Sequence, residues 1–162
     1  MNKAILQIED EPSDVLFMQM AMQAAGLENR LIVARDGREA IAYLKGEGQY
    51  VDRQQYPLPG LVLLDLRLPY IPGLDVLKWL REQPSFAHTP VLVLSSSDQD
   101  ADVEAAYHLG AQGYLVKPAL VSELERIVRL IKRYWLDSDA PPPDCAEWQA
   151  MIVAPPPGCP RP

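Results

Sequence analysis

Nowhere in the 162 residues does an apolar run approach the ~20 positions that a bilayer-crossing helix requires. The amino-terminal MNKAILQIED carries one lysine and a brief apolar segment interrupted by Gln7 and closed by acids, so it lacks the hydrophobic region of a secretory signal. It reads as the first strand of a cytoplasmic protein, with no membrane insertion. Basic charge is also in short supply: 15 Lys and Arg stand against 22 Asp and Glu, for a net charge of −7. A nucleic-acid surface needs a basic face to neutralise phosphates, so direct nucleic-acid binding is not expected. Cysteine is confined to Cys145 and Cys159, whose spacing of fourteen fits no zinc motif. Both read as reduced, incidental thiols. There is no internal repeat, and no helix-turn-helix or catalytic signature follows Trp135, so output is expected to run through protein contacts.

What is present suits one domain with a short appendage, since 48% of residues are hydrophobic and 23% charged. The organising stretch is Gly60 to Pro69, GLVLLDLRLP. Leu61, Val62, Leu63 and Leu64 are apolar without alternation, which predicts a strand covered on both faces, as in the centre of a parallel sheet. Asp65 emerges where that strand stops, and in parallel α/β sheets ligands gather outside the carboxyl ends of the strands.

Before it, Lys3 to Glu9 forms a first strand that ends in Glu9, Asp10 and Glu11, and Pro12 suits the first turn of a helix that Gly26 closes. Arg30 to Ala34 is the second strand, and Asp36 with Glu39 makes a capping-box-like start to the next helix. The polar segment 46 to 60 is longer than an ordinary connection and is a candidate for partner contacts. After the central strand, Pro72 and Gly73 turn the chain into a helix that Pro84 closes. Pro90 to Leu94 is a fourth buried strand ending in Ser95, Ser96 and Ser97. Asp98 and Asp100 open a helix terminated by Gly110, Gly113 to Val116 is the fifth strand, and Val121 to about Trp135 the last helix. Strand alternating with helix five times implies right-handed crossovers and a parallel sheet with helices on both faces. Half of the sixteen prolines fall in the segment Leu136 to Pro162, which reads as an extended tail outside the core. Its one candidate anchor is Trp148, Met151 and Ile152.

Each strand end supplies a different group. Glu9 and Asp10 follow the first strand, Asp65 the third, Ser95 the fourth and Lys117 the fifth. Alone, Lys117 reads as a solvated lysine, Ser95 as a helix cap and the Glu9 to Glu11 acids as a turn favoured by the helix dipole. Together they make a pocket. Three carboxylates repel one another unless a cation sits among them, and hard oxygen ligands suit Mg²⁺. A neighbouring ammonium keeps Asp65 ionised and offers a charge to an incoming phosphoryl oxygen, while the Ser95 hydroxyl donates to another. The reaction using this set is in-line phosphoryl transfer to the Asp65 carboxylate, giving an aspartyl phosphate.

Glu9-Asp10 with Pro12, LLDLRLP around Asp65, VLVLSSS with Ser95 and GYLVKP with Lys117-Pro118 together resemble the receiver domain of two-component response regulators, over about residues 3 to 135. The resemblance implies a receiver domain at 1–136, a proline-rich tail at 137–162, and a flavodoxin-like three-layer α/β sandwich. Its five-stranded parallel sheet would run in the order 2-1-3-4-5 with five helices. It further implies Asp65 as phosphoacceptor for a sensor histidine kinase, with Mg²⁺ held by Asp10, Asp65 and the Arg67 carbonyl and Glu9 acting directly or through water. Ser95 and Tyr114 would form a coupled switch in which the hydroxyl moves toward the phosphoryl group and the ring turns inward. Lys117-Pro118 is expected to be cis. The long loop before the third strand, SSSDQDADVEAAYHLGA and RYWL look most like single-domain regulators that partner bacterial phytochromes and related kinases. Such a protein is a phosphoacceptor that catalyses only its own phosphorylation and dephosphorylation, and is not otherwise an enzyme.

Two departures from the common receiver pattern matter. Pro72-Gly73 replaces the usual Asp-Gly turn, and Arg67 and Ser97 stand where side chains tune hydrolysis without offering a group that orients water, so slow loss of the phosphoryl group is expected. A haloacid-dehalogenase-like phosphatase would need an acid where Arg67 stands, and a flavodoxin-type carrier would need a hydroxyl-rich loop where Glu9, Asp10 and Glu11 repel phosphate. A receiver-like binding module that is not phosphorylated is the alternative. Tyr134 and Trp135 are large groups at the end of the domain that suit either a homodimer contact or packing on the domain's own sheet. Neither the kinase nor the downstream protein is named by the residues.

Overall fold

The computed structural model describes residues 3–137, 143–150, 153–154 and 158–159, with backbone alone at 148–150 and 153–154. Five parallel strands lie in the expected order 2-1-3-4-5: β1 (Ala4–Ile8), β2 (Leu31–Ala34), β3 (Pro59–Leu64), β4 (Val91–Ser95) and β5 (Gly113–Val116). The alternating helices are α1 (Pro12–Ala24), α2 (Gly37–Lys45), α3 (Gly73–Glu82), α4 (Asp100–His108) and α5 (Val121–Ile131). Alternate residues of the unbroken apolar run in β3 serve opposite layers. Val62 and Leu64 join a core with Tyr43, Leu44, Val76, Leu77, Leu80 and Val103 of α2, α3 and α4. Leu61 and Leu63 join a second core with Met18, Ala21 and Met22 of α1 and Leu124, Ile127, Val128 and Ile131 of α5. Each of those α5 side chains contributes about 1.5–3 kcal/mol through burial, which is why a helix with a polar outer face stays docked.

Local rules explain the helix ends. The Asp36 carboxylate accepts from the Glu39 N–H at 2.8 Å, and the Glu39 carboxylate reaches back one residue past that N-cap to accept from the Arg35 N–H at 2.7 Å, a variant of the capping box. Gly46 then closes α2 in the left-handed region at φ 72°. Segment 46–60 is not a loose loop. Tyr43, Tyr50 and Tyr56 stack on one another with centroids 5.1–6.2 Å apart, and the Arg53 guanidinium donates to the carbonyls of Tyr43 and Leu44 at the end of α2.

After α5 the chain widens into a π-helical turn, Lys132–Leu136. Tyr134 is buried with its hydroxyl bonded to Glu147, and Trp135 packs against the α1–α5 core, so both are engaged within the chain. The tail corrects two expectations. It is not simply extended: a short helix α6 (Cys145–Ala150) leads to β6 (Val153–Ala154), which pairs antiparallel with β5 and adds a sixth strand. Cys145 and Cys159 are not reduced thiols but a disulfide, because the helix and the return strand bring their Cα atoms to 5.3 Å, inside bonding range. The side chains of the expected anchor, Trp148, Met151 and Ile152, lie outside the described residues. Lys117-Pro118, expected cis, is trans, the isomer favoured by about 0.5–1 kcal/mol before any proline.

Candidate functional site

Hydrogen bonds that run one step past the strands bring the site residues to one end of the sheet. The Glu9 N–H donates to the Ala34 carbonyl at 2.9 Å, Asp65 N–H to Ile8 at 3.1 Å and Lys117 N–H to Ser95 at 2.8 Å. The chain after β3 is held just as closely. A Cβ added at Gly73 would lie 2.2 Å from the Asp65 carbonyl oxygen and 2.7 Å from the Leu66 Cα, so α3 starts where only glycine lets it approach the strand end.

Glu9, Asp10 and Asp65 each offer a carboxylate oxygen within 4.8 Å of the others. Glu9 and Asp65 are almost fully buried, at 2% and 5% side-chain exposure. Three converging hard oxygen donors are the chemistry of a hydrated divalent cation, and this set fits Mg²⁺ or Mn²⁺. Lys117, 15% exposed, reaches the same carboxylates, with its ammonium 2.7 Å from Glu9 Oε2, 2.8 Å from Asp65 Oδ2 and 2.8 Å from Asp14 Oδ2. The Asp65 carboxylate is oriented at both oxygens, since Oδ1 accepts from the Arg67 N–H at 3.1 Å while Oδ2 faces Lys117. Burial pushes the Glu9 carboxyl up to about 7, against the pull of the Lys117 ammonium. Burial alone would lower Lys117, but its hydrogen bonds to Asp14, Asp65 and Glu9 prevail and hold it above the ordinary lysine value.

The remaining expected residues take different places. Ser95 is fully buried at the end of β4, where its oxygen accepts from the Ser97 N–H at 3.4 Å. Tyr114 is fully buried, its ring already inside the α2–α3–α4 core, with its hydroxyl donating to the Ser97 carbonyl at 2.8 Å. Arg67 brings its backbone N–H to Asp65, but its side chain leaves the pocket for Asp102, 3.5 Å away.

Sequence reasoning missed two members. Asp14, an acid in the first turn of α1, was not singled out, because a carboxylate there is already favoured by the helix dipole. Asp102, likewise in the first turn of α4, accepts the Ser97 hydroxyl at 2.5 Å in addition to meeting Arg67.

Comparison with known proteins gives one consistent answer. Residues 5–129 match the family described as the response regulator receiver domain. Response regulator Rcp1 of Synechocystis sp. is 35% identical over 136 residues, covering 84% of this chain and 90% of that protein. The crystal structure of its Mn²⁺-bound form superposes with a TM-score of 0.75, covering 87% of this chain and 99% of that one. The phosphorylated cyanobacterial phytochrome response regulator RcpA is 35% identical, with a TM-score of 0.78, 89% of this chain and all of that one covered. RPA3017, a response regulator in red light signalling of R. palustris, is 30% identical with a TM-score of 0.80, covering 88% of this chain and 99% of that one. With its strand order, its acidic end and a match to the family over residues 5–129, this chain belongs to the response regulator receiver domain family.

Proposed function

We propose that the protein is a single-domain response regulator that accepts a phosphoryl group on Asp65 from a sensor histidine kinase and signals through contacts with a downstream protein. The carrying observation is the Asp65 carboxylate, fixed by the Arg67 N–H and Lys117 and flanked by Glu9 and Asp10. One Asp65 oxygen attacks phosphorus in line, the bond to the donor nitrogen breaks, and Lys117 offsets the charge of the transferring group. Glu9, Asp10 and Asp65, with the Arg67 carbonyl, would hold Mg²⁺, which when bound neutralises phosphoryl oxygens as a Lewis acid. Ser95 is the hydroxyl that turns toward the phosphoryl group, while Tyr114, whose ring already lies inside the core, would be held in that inward position by the bond from its hydroxyl to the Ser97 carbonyl. A phytochrome-type kinase in the cytoplasm is the proposed donor, on the strength of the likeness to RcpA and RPA3017.

The test is incubation with Mg²⁺ and phosphoramidate, then with purified histidine kinases. The reading expects acid-labile phosphate in the wild type and none in Asp65→Asn. Phosphate in neither protein, with Mg²⁺ bound to both, favours a receiver-like module that is not phosphorylated.

A further inference from the structure

Asp102 is tied to more than its own helix. As a first-turn acid it needs only the α4 N-terminus, which favours negative charge there. Yet its Oδ2 accepts the Ser97 hydroxyl at 2.5 Å and lies 3.5 Å from the guanidinium of Arg67, 35 residues away in the chain. Arg67 starts two residues beyond Asp65, with its N–H on Asp65 Oδ1 and a side chain that is 66% exposed. Ser97 in turn presents its carbonyl to the Tyr114 hydroxyl and its N–H to Ser95. One carboxylate therefore holds a guanidinium from the loop after β3, whose backbone touches the candidate phosphoacceptor, and a hydroxyl from the loop after β4.

A phosphoryl group on Asp65 would bring about two negative charges to that spot, and a guanidinium prefers a phosphoryl oxygen to a single carboxylate. Arg67 then has two competing partners. On the phosphoryl oxygens it screens the phosphorus from water; on Asp102 it leaves phosphorus open. In hydrolysis a water oxygen bonds to phosphorus, the bond from phosphorus to the Asp65 oxygen breaks, that oxygen leaves as carboxylate and inorganic phosphate carries off the water's protons.

We propose that Asp102 is a positioning residue that shortens the life of the phosphorylated state by drawing the Arg67 guanidinium away from the phosphoryl group on Asp65. This rests on the phosphoacceptor reading of Asp65 and adds a residue to it. The full chain, as wild type, Asp102→Asn, Arg67→Gln and the double variant, is phosphorylated with Mg²⁺ and phosphoramidate. After desalting, decay of acid-labile phosphate is followed. Asp102→Asn should lengthen the half-life about two- to fivefold, the range of a partly exposed ion pair. Arg67→Gln should shorten it, the double variant should match Arg67→Gln, and Asp102→Glu should restore wild-type decay. An Asp102→Asn effect of equal size with and without Arg67 would mean that Asp102 serves only α4, and overturns the proposal. Should Asp102→Asn not fold, Arg67→Gln with an unchanged half-life overturns it alone. No phosphate uptake by the wild type overturns the phosphoacceptor reading as well, whereas uptake with decay independent of Arg67 overturns only the role of Asp102.

Discussion

Replacing Lys117 by Met keeps the volume of the side-chain stem and removes the ammonium that touches Glu9, Asp14 and Asp65. At 2.8 Å and an effective dielectric of ~20, each contact carries about 6 kcal/mol of Coulomb attraction. Most of that is offset by taking the ions out of water, and removing one partner of a buried pair typically costs about 3–5 kcal/mol. Two features favour the lower end. Asp14 is 30% exposed and finds water when Lys117 is gone, and Glu9 relieves itself by taking a proton near neutral pH. Lys117→Met should therefore lose about 3 kcal/mol of stability at pH 7 in EDTA, read from urea unfolding. It should bind Mg²⁺ more tightly than the wild type, because no ammonium competes for Glu9 Oε2 and Asp65 Oδ2, and saturating Mg²⁺ should recover part of the loss. Phosphorylation should still be impaired, since the charge opposite the incoming group is missing. A stability loss under about 1 kcal/mol together with unchanged Mg²⁺ affinity would refute the reasoning.

Three further outcomes follow from the same geometry. Gly73→Ala should destabilise the fold by about 3 kcal/mol or more by chemical denaturation, because its Cβ would sit 2.2 Å from the Asp65 carbonyl with only backbone to give way. The Glu9 carboxyl is raised by burial to about 7 in the folded chain, so between the unfolded value of 4.5 and 7 the folded chain binds a proton that the unfolded chain has released. Metal-free stability should thus fall as pH rises through that window, by up to about 1.4 kcal/mol per pH unit, and Glu9→Gln or saturating Mg²⁺ should flatten the denaturation profile. Arg81→Met should cost about 2–3 kcal/mol by the same assay, because the guanidinium donates to carbonyls of Phe86, Thr89 and Gly110 and to the Gln112 side chain, joining α3 to the end of α4.

The sheet was legible because its strands are short apolar runs without alternation, and burial on both faces is the only environment that suits Leu61 to Leu64. Glu9, Asp10, Asp65 and Lys117 were legible because parallel topology sends every strand end to the same side. Asp14 was not, since a carboxylate in a first helical turn already has a sufficient local reason to be there. The same local reason hid Asp102, whose partners come from loops 5 and 35 residues away in the chain. The Cys145–Cys159 bond was misread because a separation of fourteen says nothing about distance until α6 and β6 fold the tail back. Two residues of strand, Val153 and Ala154, carry no periodicity, and only the open edge of β5 makes them pair.

The central claim is that three acids converge to hold a divalent cation and leave Asp65, beside Lys117, as the group that captures phosphorus. It is tested most directly by treating the phosphodonor-exposed protein with borohydride, which reduces an acyl phosphate to the alcohol, and locating the reduced residue by peptide mass spectrometry. The account predicts homoserine at position 65, dependent on Mg²⁺ and lost in Asp10→Asn. Reduction at another carboxylate, or at position 65 with no need for a divalent cation, would contradict it.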